Sequence, residues 1–300
     1  MKPGMKFRTE YQPHKADFTL SPEKPVVLAG SCFSQNIASK MKDHLWDAVN
    51  PFGTLYNPSS IYHAIEMMLD EEQGVKRFVD SLFYADGLWN SYMFDSSFSS
   101  KDREDCVKEF QIRQEEFLNK IVSGKVLIIT FGTSICYYLR EDDVPVGNCH
   151  KLPSRLFDRR RLSIQEISTL WESLIKKLKA RIPDIKIIFT VSPVRHLKDG
   201  FTGNARSKAI LLLAAEEICN SSESCVYFPS FEILNDDLRD YRFYASDLVH
   251  PSEEAIDYIW EIFKDVFLDE EGKLYLAEGL KKVKSANHRP KSGALGKPLK

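Results

Sequence analysis

Pro25-Val-Val-Leu-Ala-Gly30 is a short apolar run that ends on a glycine, and Ser31-Cys32-Phe33 follow it directly. A run of this length bounded by turn formers reads as a buried strand. The pattern recurs in Lys125-Val-Leu-Ile-Ile-Thr-Phe131 and in Ile185-Lys-Ile-Ile-Phe-Thr-Val191, with Cys225-Val-Tyr-Phe228 as a shorter candidate. The two longer runs are β-branched and nearly continuous, as strands covered on both faces are. Helical stretches separate them at residues 59–69, 102–122, 163–178, 205–219 and 252–267. The first begins after Asn57-Pro58, a good helix start. In the third, Ile164, Ile167, Trp171, Leu174 and Leu178 keep close to helical spacing, and Ser163 with Glu166 has the form of a capping box. Strands alternating with helices predict an α/β fold, a parallel sheet with helices on both faces.

The 300 residues carry 41 Lys+Arg against 43 Asp+Glu, a formal charge of −2. That balance gives no reason to expect nucleic acid as a partner. Residues 281–300 nevertheless hold seven Lys/Arg and no acid, which leaves 34 basic against 43 acidic residues in the rest. This basic tail has almost nothing apolar to bury, so it is expected to be disordered. The N-terminus lacks the apolar stretch of a signal peptide, and no apolar run approaches the ~18 residues of a membrane span. The six cysteines are scattered without a CxxC pair, which argues against a zinc site and for reduced thiols in a cytoplasmic protein.

Active sites of open parallel sheets lie beyond the carboxyl ends of the strands. Gly30-Ser31-Cys32, Gly132-Thr133-Ser134 and Ser192-Pro193-Val194-Arg195-His196 follow the strand-like runs, and Ser246-Asp247-Leu248-Val249-His250 precedes the last helix. Asp247 and His250 are three apart, and on a helical turn such residues share a face. A carboxylate on one ring nitrogen of His250 would fix its tautomer, and the other nitrogen could then accept a proton from a hydroxyl. Ser31, at the first strand's end, presents such a hydroxyl.

Gly30-Ser-Cys-Phe33, Asn50-Pro-Phe-Gly-Thr-Leu-Tyr-Asn-Pro58, Phe131-Gly-Thr-Ser134, Asn148-Cys-His-Lys151, Ser192-Pro-Val-Arg195 and Asp247-Leu-Val-His-Pro251 together resemble the GSCFA family. That family looks like a branch of the SGNH/GDSL hydrolases. The resemblance runs in order from about Phe7 to Phe267 and implies a three-layer, flavodoxin-like α/β domain. It implies Ser31 as nucleophile, His250 as base and Asp247 as its orienter. The backbone N–H groups of Ser31 and Gly53 would form the oxyanion hole. One block departs from the pattern. An Asn is usual where this chain reads Gly132-Thr133-Ser134, so Ser134 or Asn148 is expected to supply the missing donor.

Other residues carry competing readings. Cys32 is either an alternative nucleophile or a small buried residue. Cys149 and His150 lack a second pair at metal-ligand spacing. His150 and Lys151 are candidates for the pocket lining, and Arg195 and His196 for substrate binding, with Arg195 on an anionic group. The aromatic stretch 78–98 is either an irregular subdomain with its own small core or a wall over the pocket.

These observations predict one domain over residues 1–280, with an insertion at about 73–124. The expected function is hydrolysis of an acyl or O-acetyl ester, such as one on a carbohydrate, without metal or organic cofactor. A non-catalytic binding protein and an acyltransferase with the same triad are the alternatives. No nucleic-acid or membrane partner is expected, and the sequence defines no oligomeric state.

Overall fold

The computed structural model describes residues 8–287. β1 (Val26–Gly30) leads into α1 (Cys32–Asp43) and the edge strand β2 (Ala48–Val49). After α2 (Pro58–Leu69) and α3 (Gly74–Asp80), a hairpin of β3 (Leu82–Ala85) and β4 (Leu88–Ser91) precedes α4 (Arg103–Gly124). β5 (Val126–Phe131) is followed by three short strands, β6 (Ile135–Leu139), β7 (Pro145–Val146) and β8 (Phe157–Arg161). The chain continues through α5 (Ile164–Arg181), β9 (Lys186–Val191), α6 (Gly200–Asn220) and β10 (Cys225–Phe228). It ends with the single turn α7 (Ser230–Glu232), α8 (Glu253–Phe267) and α9 (Glu270–Asn287).

The central sheet has the order β10-β9-β5-β1-β2, and every pairing in it is parallel. Numbered among themselves, its strands run 2-1-3-4-5, the flavodoxin-like order, so the expected fold class holds. Alternation explains the continuous apolar runs. Val27, Ala29, Leu127, Ile129, Ile187 and Phe189 pack beneath Phe117, Trp171 and Leu211 of α4, α5 and α6. Val26, Leu28, Ile128 and Ile188 pack on the other face with Phe33 of α1 and Trp260 and Phe263 of α8. Each fully buried side chain of this kind contributes roughly 1.5–3 kcal/mol, so both faces must stay covered. The capping box at α5 forms as the sequence suggests, Ser163 accepting from the Glu166 N–H.

Three features differ from the sequence-based expectation. The aromatic stretch has no core of its own: Phe78 stacks on Phe110 of α4 at 4.4 Å, and both belong to the main cluster under α2 and α4. α4, which lies within the insertion expected at about 73–124, is itself a layer helix packed on the sheet. The tail expected to be disordered from residue 281 is helical over 281–287, where it continues α9; residues 288–300 lie outside the described residues. Among the described residues, no helix is long and apolar enough to cross a membrane.

Candidate active site

The turn from β1 into α1 is unusually tight. Gly30 has φ +140°, and a Cβ there would lie 2.3 Å from the Thr130 carbonyl oxygen on β5, so only glycine lets the strands close. Ser31 is the N-cap of α1. Its side chain packs against Gly132, is 1% exposed, and leaves Oγ without a hydrogen-bond partner. Its N–H is directed at the Thr130 carbonyl, at 3.4 Å. Cys32, the first residue of α1, lines a cavity of about 390 Å³ at the strand exits; Ser31 does not. Burial raises the Cys32 thiol pKa, the N–H groups of Cys32 and Phe33 and the nearby Lys208 oppose that rise, and Asp247 adds to it.

The opposite wall comes from the loop before α8. Asp247 Oδ1 accepts the N–H groups of Val249 at 2.9 Å and His250 at 3.0 Å, and its Oδ2 accepts His250 Nδ1 at 2.6 Å. The pair sits on a side-chain-capped turn with Leu248 at φ +57°, not on a helical turn. The His250 N–H, the His250 ring and the Val249 N–H hold the Asp247 carboxyl at about 2, so it is ionised. Nδ1 is thereby committed to the carboxylate, Nε2 is the free ring nitrogen, and His250 lines the cavity. The Arg195 N–H donates to the Val249 carbonyl at 3.1 Å and ties this loop to the exit of β9.

The floor is organised by Lys208, a residue that sequence reading missed. Its Nζ is buried and donates to the carbonyl oxygens of Gly132 and Ser192, each at 2.6 Å. Burial lowers its pKa to about 7. The available signal was its place in α6: Lys208, Leu211, Ala215 and Ile218 form one buried stripe. Ser207 beside it bonds Ser134 N at 2.7 Å, Ser134 Oγ at 3.1 Å and Thr133 Oγ1 at 3.0 Å. Ser134 is therefore fully buried in a hydroxyl cluster and does not face the cavity, contrary to its expected donor role.

The remaining candidates divide. Asn148 lines the cavity; its Oδ1 accepts the His150 N–H at 2.8 Å, and among the described residues nothing accepts from its Nδ2. His150 turns away, its Nε2 donating to the carbonyls of Ser91 at 2.8 Å and Phe94 at 3.0 Å, so it anchors the loop to the hairpin rather than meeting substrate. Lys151 is exposed and outside the cavity wall. Gly53 packs on Asp95, where a Cβ would lie 2.5 Å from Oδ1, and the cavity is reached instead by Tyr56 and Asn57 of the same loop. Arg195 lines the cavity, stacked 4.0 Å over Tyr244 and 5.0 Å over Tyr241, with no ion pair among the described residues. His196 lines it too; burial, then Lys208 and His250, lower its pKa to about 4, so it is a neutral imidazole with Nε2 unpartnered. The aromatic stretch supports the cavity from behind through His150 and is no part of its wall. Tyr137 and Arg159, directly opposite each other on β6 and β8, complete the rim. Among the described residues, no three His, Cys, Asp or Glu side chains group so as to hold a metal ion.

Two solved structures are similar in part. One, from Streptococcus pneumonia, is described provisionally as a platelet activating factor; identity is 12%, TM-score 0.40, with 81% of this chain and 82% of the other covered. The other is an acetyl xylan esterase (Est2A) from the rumen bacterium Butyrivibrio proteoclasticus, at 12% identity and TM-score 0.35, covering 81% of this chain and 63% of that one. No curated protein matches the sequence. The GSCFA family model matches residues 25–263, which span both the β1–α1 turn and the Asp247–His250 loop, and the chain belongs to the GSCFA family.

Proposed function

We propose that this chain hydrolyses acyl esters in the cavity at the carboxyl ends of the sheet strands, with His250 as general base and Asp247 as its orienter. The observation that carries the reading is the 2.6 Å contact between His250 Nδ1 and Asp247 Oδ2 in the cavity wall. An ionised carboxylate on Nδ1 fixes the tautomer and stabilises the imidazolium that forms when Nε2 takes a proton. The nucleophile comes from the β1–α1 turn, which carries two adjacent nucleophilic side chains. The Asn148 amide lines the cavity, and among the described residues nothing accepts from its Nδ2, which supports its reading as an oxyanion donor.

A small acyl group on a carbohydrate suits the walls. Tyr56 and Tyr137 offer flat apolar faces, while Asn148, His196 and Arg195 offer polar partners. The chemistry calls on no metal or organic cofactor. The test is hydrolysis of p-nitrophenyl acetate and of an acetylated xylo-oligosaccharide by the purified chain. Turnover that falls at least about 100-fold in His250→Ala is expected. A folded wild-type chain that releases no more acid than buffer does would overturn the proposal.

A further inference from the structure

Ester hydrolysis needs hydrogen-bond donors placed where negative charge develops on the acyl oxygen. At the exit of β5, beside the β1–α1 turn, the donors of Gly132-Thr133-Ser134 are already committed. The N–H groups of Gly132 and Thr133 both donate to the Tyr56 carbonyl, at 2.8 and 2.9 Å. The Ser134 N–H and the hydroxyls of Thr133 and Ser134 are tied to Ser207 Oγ. The ring of His196 is placed differently. It lines the cavity, and its Nε2 is buried without a hydrogen-bond partner among the described residues, as is Ser31 Oγ. Both residues adjoin Gly132. A Cβ built there would lie 3.3 Å from His196 Nε2 and 3.3 Å from Ser31 Cβ, so these two atoms are no more than twice that distance apart. An acyl oxygen three bonds beyond Ser31 Cβ is long enough in reach to span such a gap and keep a hydrogen-bond distance of about 2.9 Å from Nε2. The geometry points to His196 as a catalytic donor that the strand exits otherwise lack: its Nε2–H hydrogen-bonds the acyl oxygen as that oxygen becomes negative. The inference rests on the acyl-hydrolase reading, with the nucleophile in the β1–α1 turn.

The two cavity histidines are set for different work. His250 carries the Asp247 carboxylate on Nδ1, which stabilises its imidazolium. No carboxylate meets the His196 ring among the described residues, and burial, then Lys208 and His250, keep it neutral. A neutral imidazole polarises a carbonyl by donating its single N–H. A negative oxygen beside Nε2 selects the tautomer that places the proton there. The surroundings hold the ring before charge develops, the condition under which such a donor is most effective. Asn204 Oδ1 accepts the His196 N–H at 2.9 Å, and the ring meets Tyr56 edge to face, with centroids 5.9 Å apart. Gly132, which separates His196 from Ser31, is itself fixed, its carbonyl accepting Lys208 Nζ at 2.6 Å.

The experiment uses the full chain and p-nitrophenyl acetate. His196→Phe keeps a flat ring against Tyr56 but removes the donor, and kcat is expected to fall about 100- to 1,000-fold with KM within about 3-fold of wild type. His196→Gln keeps an N–H near the place of Nε2 and should hold kcat within about 10-fold of wild type. Urea unfolding of each variant shows that it is folded. Wild-type protein labelled with 15N-histidine and inactivated by diethyl p-nitrophenyl phosphate gives a second readout, because the phosphoryl oxygen stands where the acyl oxygen would become negative. The His196 Nε2 proton, assigned by its proximity to the Tyr56 ring, should move downfield in that adduct. This measurement decides the matter if the variants fail to fold. A folded His196→Phe with kcat within about 3-fold of wild type overturns the donor role and leaves the hydrolase reading intact. So does a His196→Gln as impaired as His196→Phe, or an adduct in which Nε2 carries no proton. A wild-type chain without turnover overturns the hydrolase reading, and this inference with it.

Discussion

Lys208 Nζ donates a 2.6 Å hydrogen bond to the carbonyl oxygen of Gly132, from a position with no access to solvent. The same nitrogen reaches the Ser192 carbonyl, so one side chain on α6 links the exits of β5 and β9 beneath the cavity. A buried ammonium is costly unless its protons are accepted, and two main-chain carbonyls accept them here.

Lys208→Met should therefore lower stability by about 2 kcal/mol at pH 7, since two buried carbonyls lose their donor. The pH dependence has a definite sign. The folded pKa of Lys208 is about 7, below that of the unfolded chain, so between pH 7 and about 10 the unfolded state binds more protons and wild-type stability rises with pH. The methionine variant lacks this rise, and the gap should widen from pH 7 to pH 9 in urea unfolding. A gap that narrows with pH would contradict the burial of the ammonium.

Asp247→Asn should lower kcat on p-nitrophenyl acetate by about 100- to 10,000-fold, because an amide favours the wrong imidazole tautomer. The carboxyl sits at about 2 through the N–H and ring of His250 and the N–H of Val249. What it contributes to stability is thus present above about pH 4 and lost as pH falls towards 2. Tm measured at pH 7 and pH 3 on both proteins checks the second statement; equal Tm losses on acidification would refute it.

Asn148→Ala should lower kcat by about 10- to 1,000-fold with little change in KM, if its free amide donates to the developing oxyanion. A structural role alone, through the Oδ1 contact with the His150 N–H, would instead lower Tm and leave kcat near wild type. Steady-state kinetics and thermal unfolding on one preparation separate the two.

Arg195→Met should raise KM about 10-fold for esters that bear a carboxylate and leave neutral esters unaffected. The guanidinium is held flat over Tyr244 and has no ion-pair partner among the described residues, so its charge is available to substrate. Equal KM changes for charged and neutral esters would count against this role.

Gly30→Ala should destabilise the fold by at least about 3 kcal/mol, because the residue combines φ +140° with a main-chain oxygen 2.3 Å from any Cβ. Urea unfolding measures the loss. A variant of wild-type stability would mean that β1 and β5 are less closely joined than the geometry requires.

Much of this protein was legible from residue order because the relevant forces are local or periodic. Continuous apolar runs marked β1, β5 and β9, since a strand buried on both faces needs apolar side chains at nearly every position, and a shorter run marked the half-buried edge strand β10. The Asp247–His250 pair was legible because three residues of chain suffice to bring carboxylate and imidazole together. Pairings across long separations were not. The charged strand Phe157–Arg161 reads as a loop until Ile135–Leu139 is laid beside it, and α9 is held by contacts with α1 that no local pattern announces.

The sequence by itself determined the layered α/β architecture and the position of the candidate site at the strand exits, because burial and loop placement follow from hydrophobic periodicity. Only the tertiary structure decided which side chains face the cavity. Ser31 and Cys32 are neighbours in the chain, yet Ser31 is 1% exposed while Cys32 is half-buried and lines the cavity. The same holds at Asn148 and His150, where a turn with φ +46° at His150 points the imidazole at the hairpin carbonyls and leaves the amide at the cavity. Side-chain direction depends on how whole elements pack, and that information lies in contacts between residues far apart in the chain.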